Sequence, residues 1–236
     1  MKIDAYKLRN FVKKASLNGT MSAINMEFKD DGVHSRMMEA GKVALTDTLL
    51  KKEAFDEYGA SGEIFIKDTV AFMNYLNTFG SYVNITINED YVMSLSDNTR
   101  SGVVMLGAEV ACDGVYREPL PTLKHTHGFN LQKTDIDRTV RDLSMLKTNK
   151  TTIFVDEQGL GFSIGDVGQS DSFNNRVVLD QQTEDAEVTI GDNFTKIFDC
   201  LEGEFTLSLG TGLPIQIVES NEIIDFTCII APIIEN

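Results

Sequence analysis

What this chain has least of is positive charge. Against 36 Asp and Glu it carries 21 Lys and Arg, a formal net charge of −15 over 236 residues. Proteins that hold nucleic acid by overall charge neutralise phosphates with a surplus of Lys and Arg. That mode is argued against here, and any cationic function has to be local. Cysteine is scarce too: Cys112, Cys200 and Cys228 stand far apart without a CxxC pair, which indicates neither a zinc site nor a disulfide framework. A reducing, intracellular compartment is the default, cytoplasmic in a prokaryote or virus and nuclear in a eukaryote. No apolar run approaches the ~20 residues of a membrane span, and the opening MKIDAYKLRN has no apolar signal region, so a soluble protein without a membrane partner is expected.

Familiar catalytic and cofactor patterns are missing as well. The glycines of GLGFSIG, at 159, 161 and 165, do not make GxGxxG, and the segment reads as a turn and strand with no helix after it. His34, His125 and His127 are the only imidazoles. The run HTH sets two of them on one side of an extended segment, but no Cys or carboxylate at ligand spacing accompanies them. A surface linker is the expectation, and no metal ligand, cofactor or catalytic residue is assigned. A nuclease would need carboxylates clustered for two metal ions, whereas the acids here are spread through the chain, and no nucleophile stands with a credible base.

What is present is enough apolar material, 42% of the residues, for one large core or two domains of ~120 residues. Leu8, Phe11, Val12 and Ala15 recur at helical spacing. The strand-like segments AINMEF, GVHSRMM, KVALTDTLL and GEIFI follow, separated by turn signals at Asp30-Asp31-Gly32 and Ala40-Gly41. Asp68 or Thr69 can cap a second helix with Phe72, Met73, Leu76 and Phe79 on one face, and YVNITI, YVMSLS and GVVMLG read as a strand meander. The order returns in the second half. A stripe of Ile136, Val140 and Leu143 precedes TTIFVD, a turn at Gln158-Gly159 and LGFSIG; later AEVTI leads into a helix with Phe194, Ile197, Phe198 and Leu201 inward, then EFTLSL, PIQIVE and IIDFTCII. Pairing Leu8 with Ile136, Gly32 with Gly159, Ile66 with Ile190 and Leu76 with Leu201 gives offsets of 128, 127, 124 and 125. A nearly constant offset predicts a duplicated α+β domain: residues 1–112 and 129–236, joined by an extended connector over 113–128 that holds two of the four prolines.

In so acidic a chain the cations are segregated. With Ile136, Val140 and Leu143 inward, the ~100° helical step turns Arg138 and Arg141 outward. No acid occurs between Asp4 and Glu27, while Lys7, Arg9, Lys13 and Lys14 are placed off the apolar face. Solvated charge on an exposed helix is the ordinary reading of either segment, but recurrence in both repeats weighs against it. The other helices are weaker: Lys67 stands with neutral Asn74 and Asn77, and Lys196 shares its face with Asp199 and precedes Glu202.

TDIDRTVRDLSMLK followed by TTIFVDEQGLGFSIGDVG, with CIIAPIIEN at the end and FKDDGVHSRMMEAGKVAL and EAFDEYG in the first half, resembles the sliding clamps of archaea and eukaryotes, the proliferating cell nuclear antigen family. The resemblance covers nearly the whole chain. It implies two duplicated clamp domains, each with two helices packed on antiparallel sheets, whose copies close head to tail into a ring, usually of three, around duplex DNA. It implies a processivity factor and no enzyme: a tether for DNA polymerase and other replication and repair proteins, placed by a clamp loader. By position the implied DNA-facing residues are Lys7, Arg9, Lys13, Lys14, Lys67, Arg138, Arg141 and Lys196, with Lys147 and Lys150 near a helix end. The implied pocket for short apolar-aromatic partner peptides is Met38, Leu120, Leu123, Pro214, Ile229, Ala231 and Pro232, beneath a connector made unusually basic by Arg117, Lys124, His125 and His127. Ring closure would use Val103–Cys112 and Asn174–Gln182 as edge strands. A damage-signalling or heteromeric clamp subunit is the alternative, and a metal-dependent nucleic-acid hydrolase the reading from another class.

Overall fold

The structure, a computed structural model, describes residues 1–59, 62–88, 92–146, 150–165, 172–177, 185–191 and 193–233, with the backbone alone at Leu143, Ser144, Asn193 and Phe194. The chain divides into two compact units, Met1–Glu118 with Ser220–Thr227, and Pro119–Glu219 with Cys228–Asn236.

The first unit runs β1 (Lys2–Asp4), α1 (Ala5–Ala15), β2 (Ile24–Lys29), β3 (Gly32–Met38), β4 (Ala44–Lys51), β5 (Phe55–Glu57), β6 (Gly62–Ile66), α2 (Thr69–Leu76), β7 (Tyr82–Ile87), β8 (Val92–Ser96) and β9 (Ser101–Met105). Strands β5-β1-β7-β8-β9 form one sheet, and β4-β3-β2-β6 are neighbours in another, every pairing antiparallel. Helix α1 starts where the Asp4 carboxylate accepts from the backbone N–H groups of Tyr6 and Lys7, at 2.8 and 3.1 Å, satisfying donors that the first turn leaves unpaired. Its face of Leu8, Phe11, Val12 and Ala15 is buried as the spacing predicts. Asp68 caps α2 through the Ala71 N–H at 2.8 Å, while the Thr69 hydroxyl donates instead to the Met21 carbonyl.

The second unit runs β10 (His127–Gln132), α3 (Lys133–Leu146), β11 (Thr151–Asp156), β12 (Gly159–Ile164), β13 (Phe173–Val177), β14 (Ala186–Ile190), α4 (Asn193–Cys200), β15 (Glu204–Leu209), β16 (Ile215–Ser220) and β17 (Ile224–Ile230), the last straddling the division between units. The orders β10-β15-β16-β17 and β13-β12-β11-β14 repeat β1-β7-β8-β9 and β4-β3-β2-β6. The duplication holds residue by residue. Leu8 and Ile136 occupy the same place in α1 and α3 and are both buried. Gly32 and Gly159 open β3 and β12 at φ of 145° and 107°, a backbone that side chains rarely adopt, and Ile66 and Ile190 close β6 and β14.

Three expectations change. The segment Val103–Cys112 is not one strand. Met105 pairs with Val92, the first residue of β8, so the ladder has run out. The chain then bridges from Gly107 to Phe65 and makes one 3-10 turn over Glu109–Ala111. Among the described side chains of α3, Thr139 is buried with Ile136 and Val140 is half-buried, Thr139 standing three residues on from Ile136 and so on the same side of the helix; the side chain of Leu143, the third of the expected stripe, lies outside the described residues. Helix α2 ends at Leu76, so Phe79 is buried from just beyond it. Of Asn174–Gln182, residues 178–182 lie outside the described residues.

Candidate nucleic-acid interface and connector

Helix α1 carries Lys7, Arg9, Lys13 and Lys14 and no acid. Lys7, Arg9 and Lys13 are half-buried, and Tyr6 beside them is 54% exposed. Arg9 is held from two sides by neutral groups. Its Nη1 donates to the side-chain oxygen of Asn77, the C-cap of α2, and its guanidinium lies 5.1 Å from the centre of the Tyr6 ring. Lys67 is exposed just ahead of α2. Lys14 is a correction: it is fully buried, its Nζ 5.1 Å from the centre of the Phe226 ring. Three residues on from Phe11, it falls on the packed side of the helix and offers nothing to a ligand at the surface.

The second unit's helices are wired differently. Helix α3 balances Lys133, Arg138 and Arg141 against Asp135, Asp137 and Asp142. Arg138 points outward, its side chain 82% exposed, with Nε 3.9 Å from the Asp142 carboxylate, which also accepts from Asn175 Nδ2 at 2.9 Å. Lys133 donates to the Phe198 carbonyl at 2.6 Å and stands 3.7 Å from Asp137. Arg141 is exposed, Lys150 is half-buried just before β11, and Lys147 lies outside the described residues. In α4, half-buried Lys196 is offset by exposed Asp199.

The connector is fastened at both ends, each within its own unit. In the first, Met38 N–H donates to the Gly114 carbonyl at 2.7 Å and Tyr116 N–H to the Arg36 carbonyl at 3.0 Å. A Cβ on Gly114 would come within 2.6 Å of the Met38 carbonyl oxygen, so the approach needs glycine. Arg36 adds a bond to the Glu118 carbonyl at 2.8 Å, and Arg117 bonds Glu63 and Glu109 at 2.8 and 3.1 Å. Burial alone would raise the Glu63 pKa, but the bonds from Arg117 and Asn25 outweigh it and hold that carboxyl below its usual range. In the second unit His125 Nε2 is 2.8 Å from the Pro214 carbonyl, and Thr126 N–H donates to the Leu209 carbonyl.

Of the pocket residues expected from the resemblance, Met38 ends β3 in the first unit, and the other six belong to the second. Leu120, Leu123, Pro214, Ala231 and Pro232 are half-buried and Ile229 is buried. The bond from His125 brings the connector's end to Pro214.

His34 lies 2.8 Å from Asp31 rather than in a ligand cluster. Among the described residues no three His, Cys, Asp or Glu side chains stand close enough to share a metal ion, and no helix is long and apolar enough to cross a membrane.

No family model and no curated protein matches the sequence. Solved structures do. The chain superimposes on A. fulgidus PCNA bound to the C-terminal region of FEN-1 with a TM-score of 0.80 at 18% identity, covering 100% of this chain and 98% of that one. The fold is that of PCNA. PCNA from Entamoeba histolytica gives a TM-score of 0.80 at 15% identity over 99% and 98% of the two chains, and the PCNA2-PCNA3 complex from Sulfolobus tokodaii gives 0.76 at 14% over 98% of each. At such identity the fold is what is shared. The PCNA fold accounts for the duplication, since the match runs the full length of both units.

Sequence reasoning missed Asn77 and Tyr6 as the groups that hold Arg9. A signal for Tyr6 was available: it sits three residues before Arg9, on the neighbouring turn of one helix. None existed for Asn77, because its contact joins positions 68 residues apart.

Proposed function

We propose that this protein is a DNA sliding clamp: copies of the chain close into a ring, duplex DNA passes through it, and replication and repair enzymes are tethered to the ring by short peptides. The observation that carries the reading is full-length agreement with PCNA over both units. Support comes from the acid-free α1 in a chain of net charge −15. A ring retains DNA by topology, so its inner surface needs only weak, salt-screened attraction to phosphates, and an acidic exterior keeps DNA off the other faces. The lining residues proposed are Lys7, Arg9, Lys13, Lys67, Arg138, Arg141, Lys147, Lys150 and Lys196. The two-domain division at 1–112 and 129–236, with the connector between, belongs to the same proposal.

Self-association is supported by the PCNA2-PCNA3 complex and peptide capture by the FEN-1 complex, each described for the neighbour itself. The PCNA2-PCNA3 complex also favours a second reading, in which this chain is one member of a heteromeric ring. The proposed activity is non-enzymatic: polymerase processivity rises in the protein's presence while the protein turns nothing over. The test is mass in solution over a range of concentrations, followed by retention on circular and on linear duplex. A stable three-subunit species that stays on circles and slides off linear ends supports the clamp. A monomer at every concentration, without DNA retention, removes it unless a second chain restores the ring.

A further inference from the structure

The second unit distributes charge unevenly around one turn. No Asp or Glu occurs from Pro119 to Thr134 or from Phe205 to Val218, in a chain where 36 of 236 residues are acidic. The two stretches lie together. Thr126 N–H donates to the Leu209 carbonyl and His125 Nε2 to the Pro214 carbonyl, so the connector's second half is fastened along the turn from β15 to β16. Leu213 N–H closes that turn on the Gly210 carbonyl. Leu120, Leu123, Leu213 and Pro214 are half-buried and leave apolar surface at the junction, and Lys124, next in sequence to Leu123, is exposed. The connector's other full cation, Arg117, is taken up within the first unit by Glu63 and Glu109.

The same turn has a second border, of opposite sign. Thr211 lines a cleft of about 290 Å³ together with Phe154, Asp156, Asp185 and Glu187. Asp156 is taken up by the fork from Arg176, while Asp185 and Glu187 are exposed. Among the described residues no Lys or Arg lines that cleft. Thr211 and Pro214 are three residues apart, so a single turn separates a cationic border from an anionic one. The formal net charge of −15 does not override this, because exposed charges beyond the ~10 Å Debye length at 0.1 M salt are largely screened. A segment docked on the turn feels Lys124 on one side and Asp185 and Glu187 on the other.

Resting on the peptide-capture part of the clamp reading, we propose that the second unit selects client peptides by charge polarity. An apolar-aromatic centre sits on Leu123 and Pro214, acidic residues on one flank lie along the connector at Lys124, and basic residues on the other flank lie toward Asp185 and Glu187. Complementary charge at the rim of an interface adds little affinity but sets orientation and rejects wrong partners. A peptide laid the other way round would set like charges together at both borders. A peptide basic on both flanks, which the overall charge would attract, meets Lys124.

The experiment is calorimetric titration of the full-length protein with two synthetic peptides of identical composition. Both carry a centre of glutamine, an aliphatic residue three positions on and two adjacent aromatics; one has Asp residues before the centre and as many Lys after it, and the other has them exchanged. Neither peptide has net charge from its flanks, so the protein's overall charge does not separate them. At 0.1 M salt one should bind at least about fivefold more tightly than the other, the yield of a few exposed charge pairs, and the tighter one tells which end lies on the connector. At 1 M salt, where the Debye length is ~3 Å, the ratio should fall within about twofold. Lys124→Glu, and separately Asp185→Asn with Glu187→Gln, should each reduce the ratio at 0.1 M salt; all three side chains are exposed, so the fold is spared. A third peptide with serine flanks reports capture alone. Equal affinities of the two charged peptides at low salt, with the serine peptide binding, overturn the polarity and leave peptide capture standing. A preference that survives in both variants overturns the assignment to Lys124, Asp185 and Glu187. No binding of any of the three peptides removes peptide capture and this inference together.

Discussion

Arg176 reaches across β12 to Asp156: its Nη1 and Nη2 donate to the two carboxylate oxygens at 2.6 Å each. The pair is the fork geometry that suits guanidinium and carboxylate. Beneath it, Phe154, Gly161 and Arg176 stand in register on β11, β12 and β13, and the guanidinium lies 5.1 Å from the centre of the Phe154 ring. The pair ties the edge strand β13 to β11.

The first prediction is a titration. Arg176 first, and then the Gln158 N–H, hold the Asp156 carboxyl down to about 2. A folded-state pKa depressed below the unfolded value of ~4 contributes stability that is complete above ~4 and lost as pH falls through the folded value. In carbon NMR of the carboxyl, wild-type Asp156 should titrate near 2, and in Arg176→Ala its midpoint should return toward the ordinary ~4. A midpoint near 4 in both proteins would mean that the fork is not kept in solution.

Gly161 supplies the second. A Cβ there would lie 2.3 Å from Cζ of the Phe154 ring, and that ring is held from above by Arg176. Gly161→Ala should therefore destabilise the protein by about 1–3 kcal/mol, the usual range for overfilling a packed site. Urea unfolding followed by circular dichroism measures it. An unchanged midpoint would show that Phe154 can swing aside at no cost.

Gly161 also shows what could and could not be read from sequence. GLGFSIG was legible as turn and strand because β-type alternation and a turn glycine are local signals. The duplication was legible because a fixed offset between equivalent residues needs no contact to be known. What escaped was set by partners far away in sequence. Gly161 is glycine for the sake of Phe154 on the neighbouring strand, and Arg9 is fixed by Asn77 across 68 positions. Lys14 escaped for another reason. Its helical angle places it beside Phe11, but its charge argued for solvent, and in the structure packing prevails.

The third prediction concerns ring closure. Strands β9 and β13 each lie at an edge of their sheet order, and on β9 Val103 and Met105 are 62% and 56% exposed. An exposed apolar edge is a template for strand addition, and lysine is the residue that blocks it. Val103→Lys with Met105→Lys should leave the subunit's stability within about 0.5 kcal/mol, as for surface substitutions elsewhere, and shift the proposed ring to monomers in analytical ultracentrifugation. A variant that keeps the wild-type mass would place closure on other strands.

The last prediction concerns the proposed partner pocket. The connector's second half is held by His125 at the Pro214 carbonyl, at 2.8 Å, and Leu123 lies two residues before that fastening, half-buried. A side chain so placed supports little of the core yet has apolar surface left to share with a ligand. If the clamp reading holds, a client peptide with a glutamine, an aliphatic residue three positions on and two adjacent aromatics binds against it, with apolar burial dominating the affinity. Leu123→Ala should then remove roughly 1–3 kcal/mol of peptide binding, the worth of burying such a side chain. Its effect on unfolding should be small, and its ring and DNA retention should match wild type. Loosening the fastening instead, with His125→Ala, should weaken the same peptide without removing any apolar contact surface, because the connector must then be ordered as the peptide binds. Calorimetric titration of one peptide into wild type and both variants decides the matter. Equal affinities for all three proteins, or no binding to any, would mean that partners are captured on another face.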